Sequence, residues 1–536
     1  MAPSEGRGLI AAVGRAARRG ARTAEGKLVS VLGGRTRTRV IVVLAGVLAL
    51  SSADTATVGA AAHQLRTALH IDTFDIGLLV SVTAVVSAVF SLPFGALADK
   101  VRRTSLLGSA IVLWGLAMVW SATSGTFGEL LLSRLALGGV TAVAGPVVAS
   151  LVGDWFLGTE RGQIYSYILT GELLGAGVGF AFTGELANLS WRLAFVVLAV
   201  PAFVAAWAVF RLPEPVRGGA GALGPAPGTR PWHAAHRTDA GSGDAQAQAL
   251  QNDDGAPGQR TDAQRLAAER GIQPDRALVA RADPRMGFFA AVRYVLAVKT
   301  NVILIISGAL GYYFLSGVET FGVEFVSGKQ GQYHVAPALA DGLLLVVGAG
   351  AVAGVLVAGP LGDALLRRGR LAGRVQVAAV AASLTVAMMI VPLMTHSVLT
   401  ALPYLVGAGV GLAGQNPPID AARLDIMPSW LWGRAEGVRT FVRTNAQALA
   451  PLVFGGISDS FFGGGPRGLR WTFVIMLLPL ALSAAYLYVA VRRYPRDVAT
   501  AAAAPQAPAA PLAARSPRGP SGPTTGGPRT GPGTSS

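Results

Sequence analysis

The 536-residue chain contains no cysteine, which excludes disulfides, thiolate metal sites and thiol catalysis. Charge is also scarce. Only 14% of residues are Asp, Glu, Lys or Arg, against 52% apolar, and the mean hydropathy is +0.49. Soluble domains carry about 25% charged residues, so the composition is that of a polytopic membrane protein. Aromatic residues make up 7%, too few to interleave with a basic nucleic-acid surface. The formal net charge of +16 comes from arginines in loops between apolar runs, and this is positive-inside topology, with no nucleic-acid partner expected. No G-x-x-x-x-G-K-[S/T] phosphate loop occurs; the Gly-Lys pairs at 26–27 and 328–329 lack its context, which argues against an ATP-driven pump. His233-x-x-His236 is a chance spacing in a loose segment. No metal site and no cofactor are expected.

What the chain does have is apolar runs with no polar face, each near the ~20 residues that cross a ~30 Å hydrocarbon core. The expected spans are 40–61, 76–98, 105–122, 127–151, 162–184 and 191–211, then 300–326, 339–361, 374–394, 397–417, 436–458 and 470–491. Twelve spans with the amino terminus inside place the loops at 99–104, 152–161, 362–373 and 423–435 in the cytoplasm. Those loops hold Lys100, Arg102, Arg103, Arg161, Arg367, Arg368, Arg370, Arg423 and Arg434, as the positive-inside rule requires. The small residues at 60–62 resemble a signal-peptidase site, but the region before them is too long, so an uncleaved first helix is expected. Residues 1–39 read as a basic disordered cytoplasmic tail. Residues 40–211 form a first six-helix bundle, and 212–285, rich in Pro, Gly, Ala, Gln, Asp and Arg, a disordered cytoplasmic linker. Residues 286–493 hold an interfacial helix at 287–299 and a second six-helix bundle. Residues 494–536 read as a low-complexity cytoplasmic tail.

The two halves echo each other. Gly95-x-Leu97-x-Asp99, followed by Lys100, Arg102 and Arg103, recurs as Gly359-Pro360-Leu361-Gly362-Asp363 with Arg367, Arg368 and Arg370. Glu160-Arg161-Gly162 is loosely matched by Arg434-Ala435-Glu436-Gly437, and Trp191-Arg192-x-x-Phe195 by Arg470-Trp471-x-Phe473. The run from Gly95 resembles the loop 2–3 signature of the major facilitator superfamily, with Arg102 in place of its second glycine. Arg134-Leu135-x-x-Gly138-Gly139 resembles that superfamily's fourth-span arginine signature. The run Asn416-Pro417-Pro418-x-Asp420 through Asp425, and Arg434 to Thr440, are similar to its spinster-like branch. Gly171, Gly175 and Gly179 are similar to the glycine ladder of drug–proton antiporters, with Ala176 replacing a proline. The resemblance implies an all-α fold of twelve transmembrane helices in two pseudo-symmetric six-helix bundles about a midplane site.

Charges inside spans are costly, about 2.5–3.5 kcal/mol each at a helix centre, and so mark function. Asp54 lies ~21 Å along the first span and Arg134 ~27 Å from the cytoplasmic end of the fourth, close enough in depth to pair. Asp54, Arg134 and Glu172 are the candidates for proton coupling. Glu172, Glu319, Gln415 and Asn416 are candidates for substrate contact, although Gln415 and Asn416 equally suit a helix broken at Pro417-Pro418. Gly95, Asp99, Arg102, Arg103, Asp363, Asp420, Arg423, Asp425, Arg439 and Arg443 are assigned to a cytoplasmic gate, whose contacts form in one access state and break in the other. Tyr312, Tyr313, Phe314, Trp114, Trp120 and Phe94 read as packing or lipid-facing aromatics.

The expected function is secondary active transport rather than enzymatic catalysis. Its form would be proton-coupled efflux of an amphiphilic, lipid-like or drug-like small molecule across the plasma membrane by a monomer. A proton-linked importer of a small organic solute is the alternative within this class. A non-transporting membrane sensor or scaffold is the alternative outside it.

Overall fold

A computed structural model of the chain describes residues 29, 32–71, 73–217, 261–326, 332, 333, 335, 337–463 and 465–505. The expectations for the basic segment 1–28, for 218–260 and for 506–536 lie outside the described residues. Helices of the first half are α1 (Arg35–Ala60), α2 (Ala62–Leu69), α3 (Thr73–Ala98), α4 (Arg103–Thr123), α5 (Phe127–Thr141), α6 (Ala144–Trp155), α7 (Arg161–Leu189) and α8 (Trp191–Phe210). Two short helices follow, α9 (Asp262–Glu269) and α10 (Arg276–Arg281), then α11 (Phe288–Ala297). The second half has α12 (Lys299–Val326), α13 (Pro337–Arg367), α14 (Gly373–Met394), α15 (Val398–Gly414), α16 (Asn416–Asp425), α17 (Trp432–Phe462) and α18 (Gly465–Ala503). No strand occurs among the described residues.

Among the described residues, counting α5–α6 and α15–α16 as one span each gives twelve long helical spans, six per half. Eleven are long and apolar enough to cross a bilayer; α17 is absent from that set. Its first turns carry Arg434, Glu436, Arg439 and Arg443, so composition alone understates it. Two spans are broken in corresponding places. The fourth breaks at Ala142-Val143, just before Pro146, and the tenth at Gln415, before Pro417-Pro418. Proline has no N–H to continue the ladder and crowds the preceding turn, so each break has a local cause.

Lipid-facing and core-facing surfaces are both apolar, as a membrane requires. On α8, Leu193, Val196, Val200, Val204 and Trp207 recur every three to four residues and are exposed, while Ala194, Leu198, Ala202 and Ala206 on the other side are buried. Within the first half α7 lies against α1 along the glycine ladder. A Cβ at Gly171 would meet the Ala45 carbonyl oxygen at 2.7 Å, and Gly175 and Gly179 press on Ala49 and Ala53 in the same way. These positions are close helix packing.

Three boundary expectations are corrected. The first helix starts at Arg35, inside the expected 1–39 tail, because Arg37 is buried against Glu160 at 2.6 Å and over the Phe156 ring. Residues 261–285, placed in a disordered linker, are helical in part. Thr261 and Gln264 form a reciprocal capping box that starts α9, and Ala263, Leu266 and Ala267 are buried. The α9 helix bridges the halves: the Asp262 carboxylate accepts the Thr159 N–H at 3.0 Å, and the Gln264 amide donates to the Asp425 carbonyl at 3.0 Å. Finally, α18 continues past 493 to Ala503, where Thr500 accepts the Asp275 N–H at 2.9 Å and Arg496 pairs with Asp275 at 3.4 Å.

Leu266 holds α9 down. Its replacement by alanine is expected to cost about 2 kcal/mol or more of that docking. Amide exchange over 262–281 should quicken on the order of 30-fold while the spans stay protected. Unchanged protection would show that α9 is held by something else.

Candidate functional site

Two sites emerge, one inside the first half and one where the halves meet. Asp54 on α1 and Arg134 on α5 form a salt bridge at 2.9 Å with both side chains under 5% exposed. Arg134 also donates to Ser121 Oγ at 3.2 Å and lies over the Phe195 ring at 4.6 Å. The Trp114 indole approaches the same carboxylate without completing a hydrogen bond. The pair therefore sits within the first bundle, among α1, α4, α5 and α8. A buried charge pair of this kind holds only while both partners remain, since removing one leaves an uncompensated ion.

The halves meet at the end of the bundle that carries loops 99–102, 156–160, 368–372 and 426–431, here termed the basic end. Two carboxylates do the joining. Asp99, just after α3, accepts the N–H groups of Gly433 (2.8 Å) and Arg434 (3.0 Å) at the start of α17, and pairs with the Arg434 guanidinium at 2.9 Å. Asp363, near the end of α13, accepts those of Gly162 (3.2 Å) and Gln163 (2.8 Å) at the start of α7. Each carboxylate thus satisfies orphan donors of a helix in the opposite half and faces the positive end of its dipole. Glycines make the approach possible. A Cβ at Gly95 would stand 2.6 Å from the Gly433 carbonyl oxygen, and one at Gly162 would stand 2.7 Å from an Asp363 oxygen. The partner of Gly162 in the repeat is therefore Gly433, not Gly437 as the sequence echo suggested.

Arg374 reinforces the second joint, donating to Asp363 at 2.6 Å, to Asp425 at 2.6 Å and to the Gly158 carbonyl across the divide. Asp425 also accepts from Tyr494 at 2.9 Å and faces Arg161 at 3.7 Å. Arg161 lies over the Trp432 ring, 4.9 Å away on the other half. A second cluster stays within the second half: Glu436 binds Arg423 (2.6 Å) and Arg439 (3.0 Å), and Arg439 reaches Asp420 at 3.2 Å.

Several assignments change. Arg103 does not reach across the halves; it is buried on Asp154, on Glu214 at 3.0 Å and on the Pro215 carbonyl, all in the first half. Four bonds from Arg103 and Thr104 hold the Glu214 carboxyl below its usual range despite burial. Arg102 is exposed and only its carbonyl is used, accepting the Leu106 N–H. Arg439 and Arg443 do not contact Asp99. Arg443 instead stacks on Tyr312 at 4.6 Å, so Tyr312 is not merely a packing residue. Gln415 is fully buried, donates to the Leu412 carbonyl at 3.2 Å and fills the space over Gly311, which is packing of the broken span. Asn416 is half-buried beside it. Glu172 on α7 and Glu319 on α12 lie within electrostatic reach of each other. Sequence reasoning did not assign Arg434, Arg374 and Arg161 to the joint. Arg374, at the head of the ninth span where Arg103 heads the third, was the available signal.

An all-helical polytopic membrane protein of two six-helix halves, joined at one end by carboxylate-capped helix termini, defines the class. The sequence profile of the Major Facilitator Superfamily matches residues 44–413, and the chain belongs to that superfamily. It is 29% identical over 151 residues to the quinolone resistance protein NorB of Staphylococcus aureus strain bovine RF122 / ET3-1, over 28% of this chain and 33% of the relative. The match thus spans about a third of that curated relative's length. The fold is similar to the proton:xylose symporter XylE (TM-score 0.60, 14% identity, 84% of this chain and 95% of the other). It is also similar to a bacterial homologue of the human lysosomal transporter Spinster in an inward-facing conformation (TM-score 0.52, 17% identity, 86% and 98%).

Burial raises the Asp99 carboxyl to about 6, with Arg434 and the two N–H bonds pulling the other way. Prised away from α17 it returns toward the ordinary value of about 3.9. The joined form therefore takes up a proton between about pH 4 and 6 that the separated form does not. Acidification through that window favours joining, and the contribution is lost as pH rises through 6. With labels on the 99–102 and 426–431 loops, the ratio of short-distance to long-distance populations should rise by a factor of ~10 from pH 7 to pH 5. The variant Asp99→Asn should flatten this response, and an unchanged one would assign it elsewhere. In the same assay Gly162→Leu, whose side chain has no room beside Asp363, should hold the basic end apart at every pH; a joined Gly162→Leu protein would contradict the close approach.

Proposed function

We propose that this chain is a proton-coupled exporter of an amphiphilic, lipid-like or drug-like small molecule, working by alternating access in the plasma membrane. The observation that carries this reading is the Asp54–Arg134 salt bridge, buried at 2.9 Å within a bundle of spans. A buried carboxylate whose one arginine partner is drawn away is left uncompensated, and taking a proton relieves that charge. Asp54 is the proton carrier, Arg134 its modulator and Glu172 a second acid facing the cleft between the halves.

The basic end faces the cytoplasm, since the loops there hold most of the short-loop arginines, and both termini lie inside. With Asp99 and Asp363 engaged, the cytoplasmic end is shut and the cleft addresses the outside. Protonation of Asp54 from that side, loss of the capped joint and opening inward complete the exchange. The NorB match, to a quinolone resistance protein, favours efflux over uptake. The protein acts as a monomer, its only partners being the substrate, protons and lipid.

In proteoliposomes an imposed pH gradient should drive substrate movement by the wild type. Asp54→Asn should abolish the gradient-driven component while leaving slow substrate exchange at equal pH. Wild-type coupling in Asp54→Asn would remove Asp54 from the mechanism, and gradient-insensitive transport by the wild type would remove proton coupling altogether.

A further inference from the structure

One helix at the basic end carries a face that nothing among the described residues covers. A single residue, Val298, separates α11 from the start of α12. The Arg434 guanidinium that holds Asp99 also donates to the Met286 carbonyl, just before α11, at 3.2 Å. One side of α11 is therefore fixed: Ala291, Tyr294 and Val295 are buried, as is Val298 beyond them. On the other side Phe289, Arg293 and Leu296 recur every three to four residues and are exposed, Phe289 to 85%. A phenylalanine ring turned outward at the end of a membrane-spanning bundle belongs among headgroups and upper acyl chains rather than in water.

The charge on this face has one sign. Between residues 276 and 299, Arg276, Arg281, Arg285, Arg293 and Lys299 stand against the single acid Asp283. The Asp283 carboxylate accepts the Arg285 backbone N–H at 2.8 Å. The other acids nearby are engaged elsewhere. Asp275 pairs with Arg496 at 3.4 Å, and Asp497, on the buried side near Tyr294, accepts the Thr300 N–H at 3.2 Å. Among the described residues, no ion pair or hydrogen bond engages the side chains of Arg285, Arg293 or Lys299, and all three are exposed.

We infer that the outer face of α11 is a binding site for anionic phospholipid. The headgroup phosphate rests on Arg293, with Arg285 and Lys299 at the two ends of the helix, and Phe289 and Leu296 enter the acyl chains. A free phosphate would meet the basic groups but leave both apolar side chains in water. A zwitterionic headgroup brings its own cation to a face that has an excess of them. A second copy of the chain would set like charge against like. The site lies outside the cleft between the halves and is independent of what the protein transports.

The chain has no cysteine, so Ala290→Cys places a single fluorophore beside Arg293 in the full-length protein. Val200→Cys, on the lipid-facing side of α8, is the control. Both are placed in phosphatidylcholine nanodiscs in which a rising fraction of lipid is replaced by brominated phosphatidylglycerol or brominated phosphatidylcholine, each of which quenches on contact. At position 290 half-maximal quenching should come at a phosphatidylglycerol fraction at least about fivefold below that of phosphatidylcholine, the preference that one basic side chain confers near an anionic lipid. At position 200 the two lipids should quench alike. Arg285→Gln/Arg293→Gln/Lys299→Gln should bring the two curves at 290 together. Salt at roughly 1 M should do the same with the basic side chains intact, which keeps the test decisive if the triple variant melts early. Equal quenching by both lipids at 290 overturns the inference, as does a preference that survives the salt. Quenching by neither lipid would show that a protein segment covers the face, and relief of quenching by soluble glycerol phosphate would make the ligand a free phosphate; either result overturns the lipid assignment.

Discussion

A carboxylate at the end of one helix accepting the first N–H groups of a helix from the other half is the contact on which this architecture turns. It occurs twice, at Asp99 with Gly433 and Arg434 and at Asp363 with Gly162 and Gln163. The donors are orphans of helix geometry, so they bind the carboxylate or must be met by water. Both alternatives are available at a membrane surface, which makes the joint strong when formed and dispensable when water enters. A hydrophobic seam of the same area would not have this property. The glycines at 95 and 162 let the backbones close to the distance this bond requires.

Around the two joints the buried charges divide by task. Arg103 with Asp154 and Glu214 ties the third span to the fourth within the first half. Arg374 with Asp425 does the same in the second half, but also reaches Gly158 across the divide. The second joint is therefore more heavily braced, and α9 adds to it by placing Asp262 on Thr159. The Asp54–Arg134 pair lies apart from both joints, enclosed by its own bundle.

The twelve spans were legible because their apolar runs have no competing reading at that length. The carboxylates at 99 and 363 were legible because the repeat places them in the same short motif, and the depth of Asp54 and Arg134 followed from counting along helices. The register of the other strip was not. The offset between the halves changes along the chain, and Gly437 in a similar local context drew the alignment one turn away from Gly433. Arg443 was given to the gate because its position on α17 follows Arg434 and Arg439; only three-dimensional packing shows it turned to Tyr312. The helix at Asp262–Glu269 was hidden because it is short and polar, and its stability comes from a capping box, from the burial of Leu266 and from packing on α18 rather than from an apolar period.

The most direct measurement of the two-half exchange is a pair of distance distributions recorded on one reconstituted sample. One pair of labels sits at the basic end, at Lys100 and Ser429, and the other at the far end, at Arg66 and Arg467. Alternating access requires the two distances to change in opposite senses as substrate or pH shifts the population, with the basic-end pair short whenever the far-end pair is long. Two distances that lengthen together, or a basic end that stays joined throughout transport, would contradict it.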